Sequence, residues 1–310
     1  MKAVFSSTSN TSSQPTSASK SLLELMRRHP LFFYFFMAYA FSWALLIPWV
    51  ASEWGIVPQA MHNKLLFALH AFGPTLAAYI MFHITEGKQG WVRLRSRLSL
   101  LRVGRQWYAF ILLGIPAAML LGILVLPGAL ASFRGLPPHF WVSYPFLFVL
   151  VFFGGGPLGE EVGWRGFALP PMQRRYGPLN ATLFLGVLWT FWHFPEFFSS
   201  AQLGGPGTGL SAFYVQLPIF LSMVMALAIV FTWVSNHTGG SVFIAILLHA
   251  SFDTFGYTVQ PLFAAPIVSG MNLPFALAMA VLALLVLIVT RGRLGYQPKG
   301  RPLSPHVIEA

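Results

Sequence analysis

Long apolar stretches alternate with short polar loops along most of this chain. Eight stretches approach the roughly 20 residues that an α-helix needs to cross a bilayer. They lie at about 31–50, 65–85, 107–130, 142–153, 179–194, 213–233, 241–259 and 273–290. The pattern predicts an all-α polytopic membrane protein with eight transmembrane helices. The fourth stretch is the shortest, as expected of a helix that carries polar residues into a cavity.

The composition agrees with this class and excludes several others. Of the 310 residues, 56% are hydrophobic and 9% are charged, whereas soluble domains carry about 25% charged residues. The chain has no cysteine, which excludes disulfides, thiol catalysis and Cys-ligated metals. The net charge of +11 does not indicate a nucleic-acid partner, because nearly all Lys and Arg residues fall in short loops between apolar stretches.

The basic residues divide the loops into two kinds. Loops after the second, fourth and eighth stretches are rich in Lys and Arg, and the others are not. Because cytoplasmic loops carry the positive excess, we predict a plasma-membrane protein with both termini in the cytoplasm. We expect a disordered Ser/Thr-rich tail over 1–28, one helical domain over 29–292 and a basic tail over 293–310. The basic loop 93–105 is expected to attract anionic lipid headgroups.

An acidic pair follows the fourth apolar stretch. Glu160 and Glu161 stand side by side in a chain that has only eight acidic residues. A charge at the bilayer centre costs about 2.5–3.5 kcal/mol, so such a pair is a functional hypothesis by default. Neighbouring helical side chains point about 100° apart. Arg165 lies four residues after Glu161 on the same face and is predicted to neutralise it, which leaves Glu160 free for chemistry.

Two later stretches supply histidines. His193 ends the fifth stretch, and His249 shares a face of the seventh with Asp253, four residues on. Imidazoles and carboxylates are ligands of Zn²⁺, and a glutamate beside a bound water can take its proton. No H-E-x-x-H motif is present, so spacing alone indicates hydrolysis only weakly.

Other polar residues near these motifs have plainer interpretations. The lone histidines His70, His83 and His237 are expected to have structural or interfacial roles. Glu196 follows His193 closely, but its position in the next loop predicts a solvent-facing side chain. The helix that carries Glu160 is expected to run from about Val142 to about Ala168, because Pro170 and Pro171 are the first strong helix stop.

Three motifs occur in a fixed order along the chain: Glu160-Glu161-x-x-x-Arg165, Trp189-x-x-x-His193 and His249-x-x-x-Asp253. Over about residues 65–260 this order resembles the CAAX-protease and bacteriocin-processing (CPBP, or Abi) family, which includes type II CAAX prenyl endopeptidases. The resemblance implies an intramembrane metalloprotease with a conical cavity open to the cytosol and a peptide or lipidated peptide as substrate. It implies that Glu160 activates water, that His193 and His249 bind Zn²⁺ or steer water and the oxyanion, and that Asp253 assists.

The chain departs from the family pattern at two positions. Trp189 stands where Phe is usual, and Asp253 stands where Asn is usual. An Asp suits a third metal ligand, or an orienter of His249, better than an oxyanion donor. A metal-free mechanism with glutamate-activated water stays open. Glu161, Arg165 and Trp189 are expected to support the site.

Two alternatives share the same scaffold. A non-catalytic bacteriocin-immunity or scaffold protein would keep its function without Glu160. A proton-coupled transporter would use the buried Glu, His and Asp residues as a relay. Against the transporter, the sequence shows no pair of broken helices in two matching halves.

Overall fold

The computed structural model describes residues 17–154, 156–200, 205–208, 210–264 and 272–298. Within these ranges every element of regular secondary structure is a helix, and there is no strand. In chain order the helices are α1 (Ser17–Arg28), α2 (Pro30–Glu53), α3 (Lys64–His70), α4 (Gly73–Glu86), α5 (Lys88–Leu98), α6 (Arg105–Leu124), α7 (Phe140–Gly154), α8 (Gly156–Glu161), α9 (Leu169–Tyr176), α10 (Pro178–Trp192), α11 (Leu210–His237), α12 (Val242–Val259) and α13 (Asn272–Thr290). Single turns lie at Gln59–Met61, Ala129–Ser132, Phe194–Phe198 and Gln260–Leu262.

Six helical segments in the described ranges are long and apolar enough to cross a membrane. They are α2, α6, the run from α7 to α9, α11, α12 and α13. Helices α3 and α4, bent by 43°, make a seventh if they are counted together. Helix α10 coincides with the fifth predicted stretch, but its 15 residues rise only about 22 Å. The all-α polytopic class is therefore confirmed, while the number of eight spans stays a prediction.

The helix that carries the acidic pair runs further than predicted. It passes Glu160 as expected, but it continues to Tyr176 instead of ending near Ala168. The residues between α8 and α9, Val162–Ala168, form a π-helical segment. Helix α9 follows this segment without a break and has Pro170 in its first turn. First-turn residues need no N–H donor, so prolines are tolerated there.

Glycines let this long helix lie close to α4. A Cβ atom on Gly159 would stand 2.5 Å from the carbonyl oxygen of Ala71, and one on Gly163 would stand 2.6 Å from that of Pro74. Any side chain at these positions would push the backbones apart. The close approach fixes the height of Glu160 relative to the start of α4.

The chain termini are more ordered than predicted where the structure describes them. The expected disordered tail over 1–28 is wrong for Ser17–Arg28, which form α1. Met26 is buried against the core and the Nε atom of Arg27 donates to the carbonyl of Ile84 at 3.0 Å. After α13, Leu294 is fully buried, so the segment 293–310 does not begin as a free tail. Residues 1–16 and 299–310 lie outside the described residues.

Candidate active site

A cavity of about 440 Å³ lies among α8, α10, α11 and α12. Its walls are mostly apolar, with a few polar groups pointing inward. All four residues predicted to be catalytic line this one cavity: Glu160, His193, His249 and Asp253. The structure thus brings together three segments that are far apart in sequence. Trp189, predicted only as a supporting residue, also lines it.

One oxygen of Glu160 accepts two hydrogen bonds, and the other has no hydrogen-bond partner in the part of the chain that the structure describes. The side chain is only 3% exposed. Its Oε2 atom accepts hydrogen bonds from the indole N–H of Trp189 at 2.6 Å and of Trp164 at 3.2 Å. A Cβ atom on Gly156 would stand 3.2 Å from Oε1, 3.6 Å from Oδ2 of Asp253 and 4.0 Å from Nε2 of His249. The missing side chain of Gly156 therefore leaves a small space that three reactive groups share.

The second glutamate fixes a histidine as well as an arginine. The Oε1 atom of Glu161 accepts from Nη1 of Arg165 at 2.8 Å, which is the ion pair expected from the spacing. The same oxygen accepts from Nδ1 of His249 at 2.9 Å, a contact that the sequence did not predict. Because a carboxylate only accepts, Nδ1 carries the hydrogen and Nε2 of His249 faces the cavity. The Arg165 guanidinium lies 4.3 Å from the ring centre of Trp189 and 4.0 Å from that of Phe231, which stabilises the buried cation.

Glu196 does not face solvent, so that prediction is wrong. The residue is 6% exposed, because the turn Phe194–Phe198 folds back against the cavity directly after α10. Its Oε1 atom accepts from Nδ1 of His193 at 2.9 Å and lies 3.3 Å from Nε2 of His70. Both rings gain a buried carboxylate partner, and His70 also lines the cavity. The sequence signal was the three-residue spacing from His193 to Glu196, which places both on one side of a helical turn.

Asp253 completes the polar side of the cavity. Its Oδ2 atom lies 3.5 Å from Nε2 of His249, one helical turn away. The lone pair of a neutral imidazole and an ionised carboxylate repel each other, so this arrangement needs a proton on one group or a cation between them. The role of Asp253, as a third metal ligand or as an orienter of His249, stays a prediction.

The predicted metal ligands do not converge in the arrangement seen. Within the ranges that the structure describes, no three His, Asp or Glu side chains form a metal-ligand group. The donor types are suitable, since His193 and His249 each bond a carboxylate through Nδ1 and keep Nε2 for a ligand. The metal site at His193, His249 and Asp253 stays a prediction.

An arginine from the basic loop 93–105 holds the π-helical segment Val162–Ala168. From α5, Arg97 donates through Nη2 to the carbonyl of Arg165 at 2.8 Å and through Nη1 to that of Gly166 at 2.7 Å. Its Nε donates to the carbonyl of Gly240, just before α12, at 2.6 Å. Burial, with a smaller effect from Arg93, lowers the pKa of Arg97 to about 10, which leaves the guanidinium charged at neutral pH.

The two prolines explain why these carbonyls need a side chain. The N–H of Leu169 bonds the carbonyl of Trp164, five residues back. In the same register the donors for Arg165 and Gly166 would be residues 170 and 171, which are both Pro and have no N–H. A buried carbonyl without a partner is costly. Arg97 supplies both missing donors and so fixes the segment that follows Glu160 and Glu161.

The fold and the cavity define an all-α integral membrane protein with buried carboxylates and imidazoles around one small space. Residues 141–255 match the protein family described as type II CAAX prenyl endopeptidase Rce1-like. The chain is 30% identical over 167 residues to CAAX prenyl protease 2 of Methanococcus maripaludis, a match that covers 53% of this chain and 60% of that protein. Both matches support the resemblance to Rce1-type proteins, and the chain spans about 60% of the length of the relative that it matches.

Proposed function

We propose that this protein is an intramembrane endopeptidase that hydrolyses a peptide bond near the end of a membrane-associated polypeptide. The family match over 141–255 spans every motif residue from Glu160 to Asp253. The relative named CAAX prenyl protease 2 is also a peptidase by name. That match covers 60% of the relative, and we propose that this chain has the same peptidase activity.

The geometry of Glu160 is the observation that carries the proposal. A general base must be fixed in place and still present one oxygen to the water that it deprotonates. Two indole N–H groups hold Oε2 from one side. Oε1 faces the space next to Gly156 that Asp253 and His249 also border. The Oε2 atom of Glu161 also has no hydrogen-bond partner among the described residues, but Glu161 does not line the cavity, whereas Glu160 does.

The reaction follows from this arrangement. Water in the space beside Gly156 gives a proton to Oε1 of Glu160 while its oxygen attacks the peptide carbonyl carbon. The resulting oxyanion collapses, the C–N bond breaks, and Glu160 passes the proton to the leaving nitrogen. The products are a carboxylate and an amine. His193 and His249 present Nε2 to the cavity, where they position the water and, when protonated, stabilise the oxyanion.

The experiment compares two glutamates. Glu160→Gln keeps the size of the side chain and both indole contacts but removes the base. Glu24→Gln changes an exposed glutamate on α1 and serves as the matched control. Each purified protein is offered a panel of peptides with and without a prenyl group, and new N-termini are identified by mass spectrometry. We expect the first variant to elute as a folded protein and to lose cleavage, and the control to retain it. Cleavage that persists in Glu160→Gln would exclude Glu160 as the base.

The same peptide panel tests the metal prediction. If His193, His249 and Asp253 hold a metal, a chelator should abolish cleavage and subsequent addition of Zn²⁺ should restore it. Cleavage that is insensitive to the chelator would favour glutamate-activated water alone. The panel also shows whether a prenyl group is required.

A further inference from the structure

A second cavity lies apart from the one that Glu160 lines. Its volume is about 500 Å³, which falls within the range of about 300–1,000 Å³ that small-molecule sites occupy. Its walls come from α1, the start of α2, the end of α4, α5, the π-helical segment, α9, the end of α11 and the residues after α13. Among the described residues the two cavities have no lining residue in common, so the proposed hydrolysis does not explain the second one.

The charged residues of this second cavity are unbalanced. Four arginines and one glutamate line it: Arg27, Arg93, Arg97, Arg174 and Glu86. Glu86 forms an ion pair with Arg93, so these two charges compensate each other. In the described ranges no other acidic side chain lines the cavity. The positive charges of Arg27, Arg97 and Arg174 are therefore left without a counter-charge in the lining, and an anion between them would reduce their mutual repulsion.

Two of these arginines keep hydrogen-bond donors for a ligand. Arg27 donates through Nε to the carbonyl of Ile84 at 3.0 Å, and neither of its Nη groups has a partner among the described residues. Arg174 has no hydrogen bond or ion pair with any described residue. Arg97 differs, because all three of its nitrogens donate to backbone carbonyls. Arg27 and Arg174 are therefore the two side chains that can bind an anion directly, while Arg97 adds charge from a fixed position.

The neutral polar side chains of the wall are largely bonded within the protein. The amide of Gln173 donates to Oδ1 of Asn236 at 3.0 Å, and the amide of Asn236 donates back to Oε1 of Gln173 at 2.9 Å. The hydroxyl of Thr85 donates to the carbonyl of Met81 at 2.6 Å. These bonds fix the wall and leave the recognition of a charged ligand to the arginines.

The rest of the wall offers an apolar surface beside the arginines. Six apolar residues from the start of α2, the π-helical segment and the start of α9 contribute to it: Pro30, Leu31, Phe167, Leu169, Pro170 and Pro171. A ligand that fills the cavity would therefore combine a negative group with an apolar body.

We propose that this cavity binds a phosphate group through the guanidinium groups of Arg27 and Arg174. The planar fork of a guanidinium matches two phosphate oxygens, which makes arginine the preferred partner of phosphate. An anionic phospholipid and free phosphate both carry this group, and the apolar wall favours the phospholipid. The site is more specific than a general attraction of the basic loop 93–105 for anionic headgroups, because Arg27 and Arg174 lie outside that loop.

Two pairs of neighbouring arginines provide matched variants. Arg27 and Arg174 line the cavity, whereas the adjacent Arg28 and Arg175 do not; each of the four is replaced by Gln in the full-length protein. The proteins are freed of lipid in a nonionic detergent. Native mass spectrometry measures the binding of short-chain phosphatidylglycerol and of the diacylglycerol with the same chains, which lacks the phosphate. Equilibrium dialysis measures the binding of radiolabelled inorganic phosphate.

We expect one phosphatidylglycerol per protein and much weaker binding of the diacylglycerol. Arg27→Gln and Arg174→Gln should each weaken phosphatidylglycerol binding about ten-fold or more, because each loses hydrogen bonds to a charged group. Arg28→Gln and Arg175→Gln should leave it unchanged. Inorganic phosphate that binds as tightly as the lipid, with the same dependence on Arg27 and Arg174, would support the phosphate site and identify free phosphate as its ligand.

Three results would overturn the proposal: no binding of either phosphate compound, equal affinity for phosphatidylglycerol and the diacylglycerol, or equal losses in the cavity variants and their neighbours. Arg27→Gln also removes the bond to Ile84, so a disturbed α1 could weaken binding indirectly. Arg174→Gln removes no contact with any described residue, and its result decides the question. The readout is binding and needs no cleavage, so this proposal and the proposed peptidase function fail independently.

Discussion

Arg97 and the two prolines should be energetically coupled. Arg97→Met removes three hydrogen bonds to backbone carbonyls. A buried acceptor left without a partner costs about 1–3 kcal/mol, so the variant should lose about 3 kcal/mol or more of stability. Replacing Pro170 and Pro171 by Ala gives these two residues N–H groups, which can donate to the carbonyls five residues back, those of Arg165 and Gly166. The Arg97→Met change should therefore cost about 1–3 kcal/mol less in that background.

A double-mutant cycle measures this coupling. The thermal midpoint is determined in detergent for the parent, Arg97→Met, the double alanine variant and the combination of all three changes. Unfolding of a polytopic protein is not assumed to be two-state, so midpoints are compared rather than converted to free energies. At about 2–4 °C per kcal/mol, Arg97→Met should lower the midpoint by about 6 °C or more. Arg95→Met, an exposed position on the same helix, is the control and should change it little. Additive shifts in the cycle would refute the argument that Arg97 replaces the donors that the prolines lack.

Three further predictions concern the site and its packing. Trp189→Phe removes the 2.6 Å hydrogen bond to Glu160 and should lower kcat/KM about ten-fold or more, since a bond to a charged group is worth about 1.5–3 kcal/mol. Trp192→Phe is the control and should change kcat/KM much less, because the buried indole nitrogen of Trp192 has no partner among the described residues. Gly163→Ala places a Cβ atom 2.6 Å from the carbonyl oxygen of Pro74 and should destabilise the protein by about 1–3 kcal/mol, which is measured as a lower thermal midpoint. Gly154→Ala is the control and should leave the midpoint unchanged, because its Cβ atom would have nothing within 4 Å. Glu196→Gln keeps an acceptor for His193 but removes the charge, so kcat should fall with little change in KM; an unchanged kcat would show that this carboxylate does not position His193.

Sequence spacing predicted the features that depend on one helix at a time. The apolar stretches gave the positions of the helices, because each must bury its backbone within the bilayer. The four-residue spacings gave the contacts of Glu161 with Arg165 and of His249 with Asp253, since helical geometry brings such residues to one face. The continuation of the helix past Glu160 could also be expected, because Pro170 and Pro171 are the first strong helix stop after it.

Contacts between distant segments could not be found in this way. The bond from His249 to Glu161 joins residues 88 positions apart, and nothing local to either one indicates the other. Glu196 looked like a loop residue, because the fold of the turn after α10 depends on what it packs against. Trp164 is different, because it stands four residues after Glu160 and its bond to that carboxylate follows the same helical spacing rule.

Arg97 and the proline pair show why the missing information is three-dimensional. In the sequence Arg97 is one of several loop arginines, fully explained by the positive-inside rule, and Pro170-Pro171 is a helix stop. Each interpretation is locally sound and each is incomplete. The prolines are tolerated inside a continuing helix because Arg97 donates to the carbonyls that would otherwise lack a donor. The part-buried arginine is tolerated because those carbonyls accept its hydrogen bonds. A double proline within a longer helical run is therefore a reason to look for an Arg or Lys on a neighbouring element. In this protein that search leads from the basic loop 93–105 to the segment that follows Glu160.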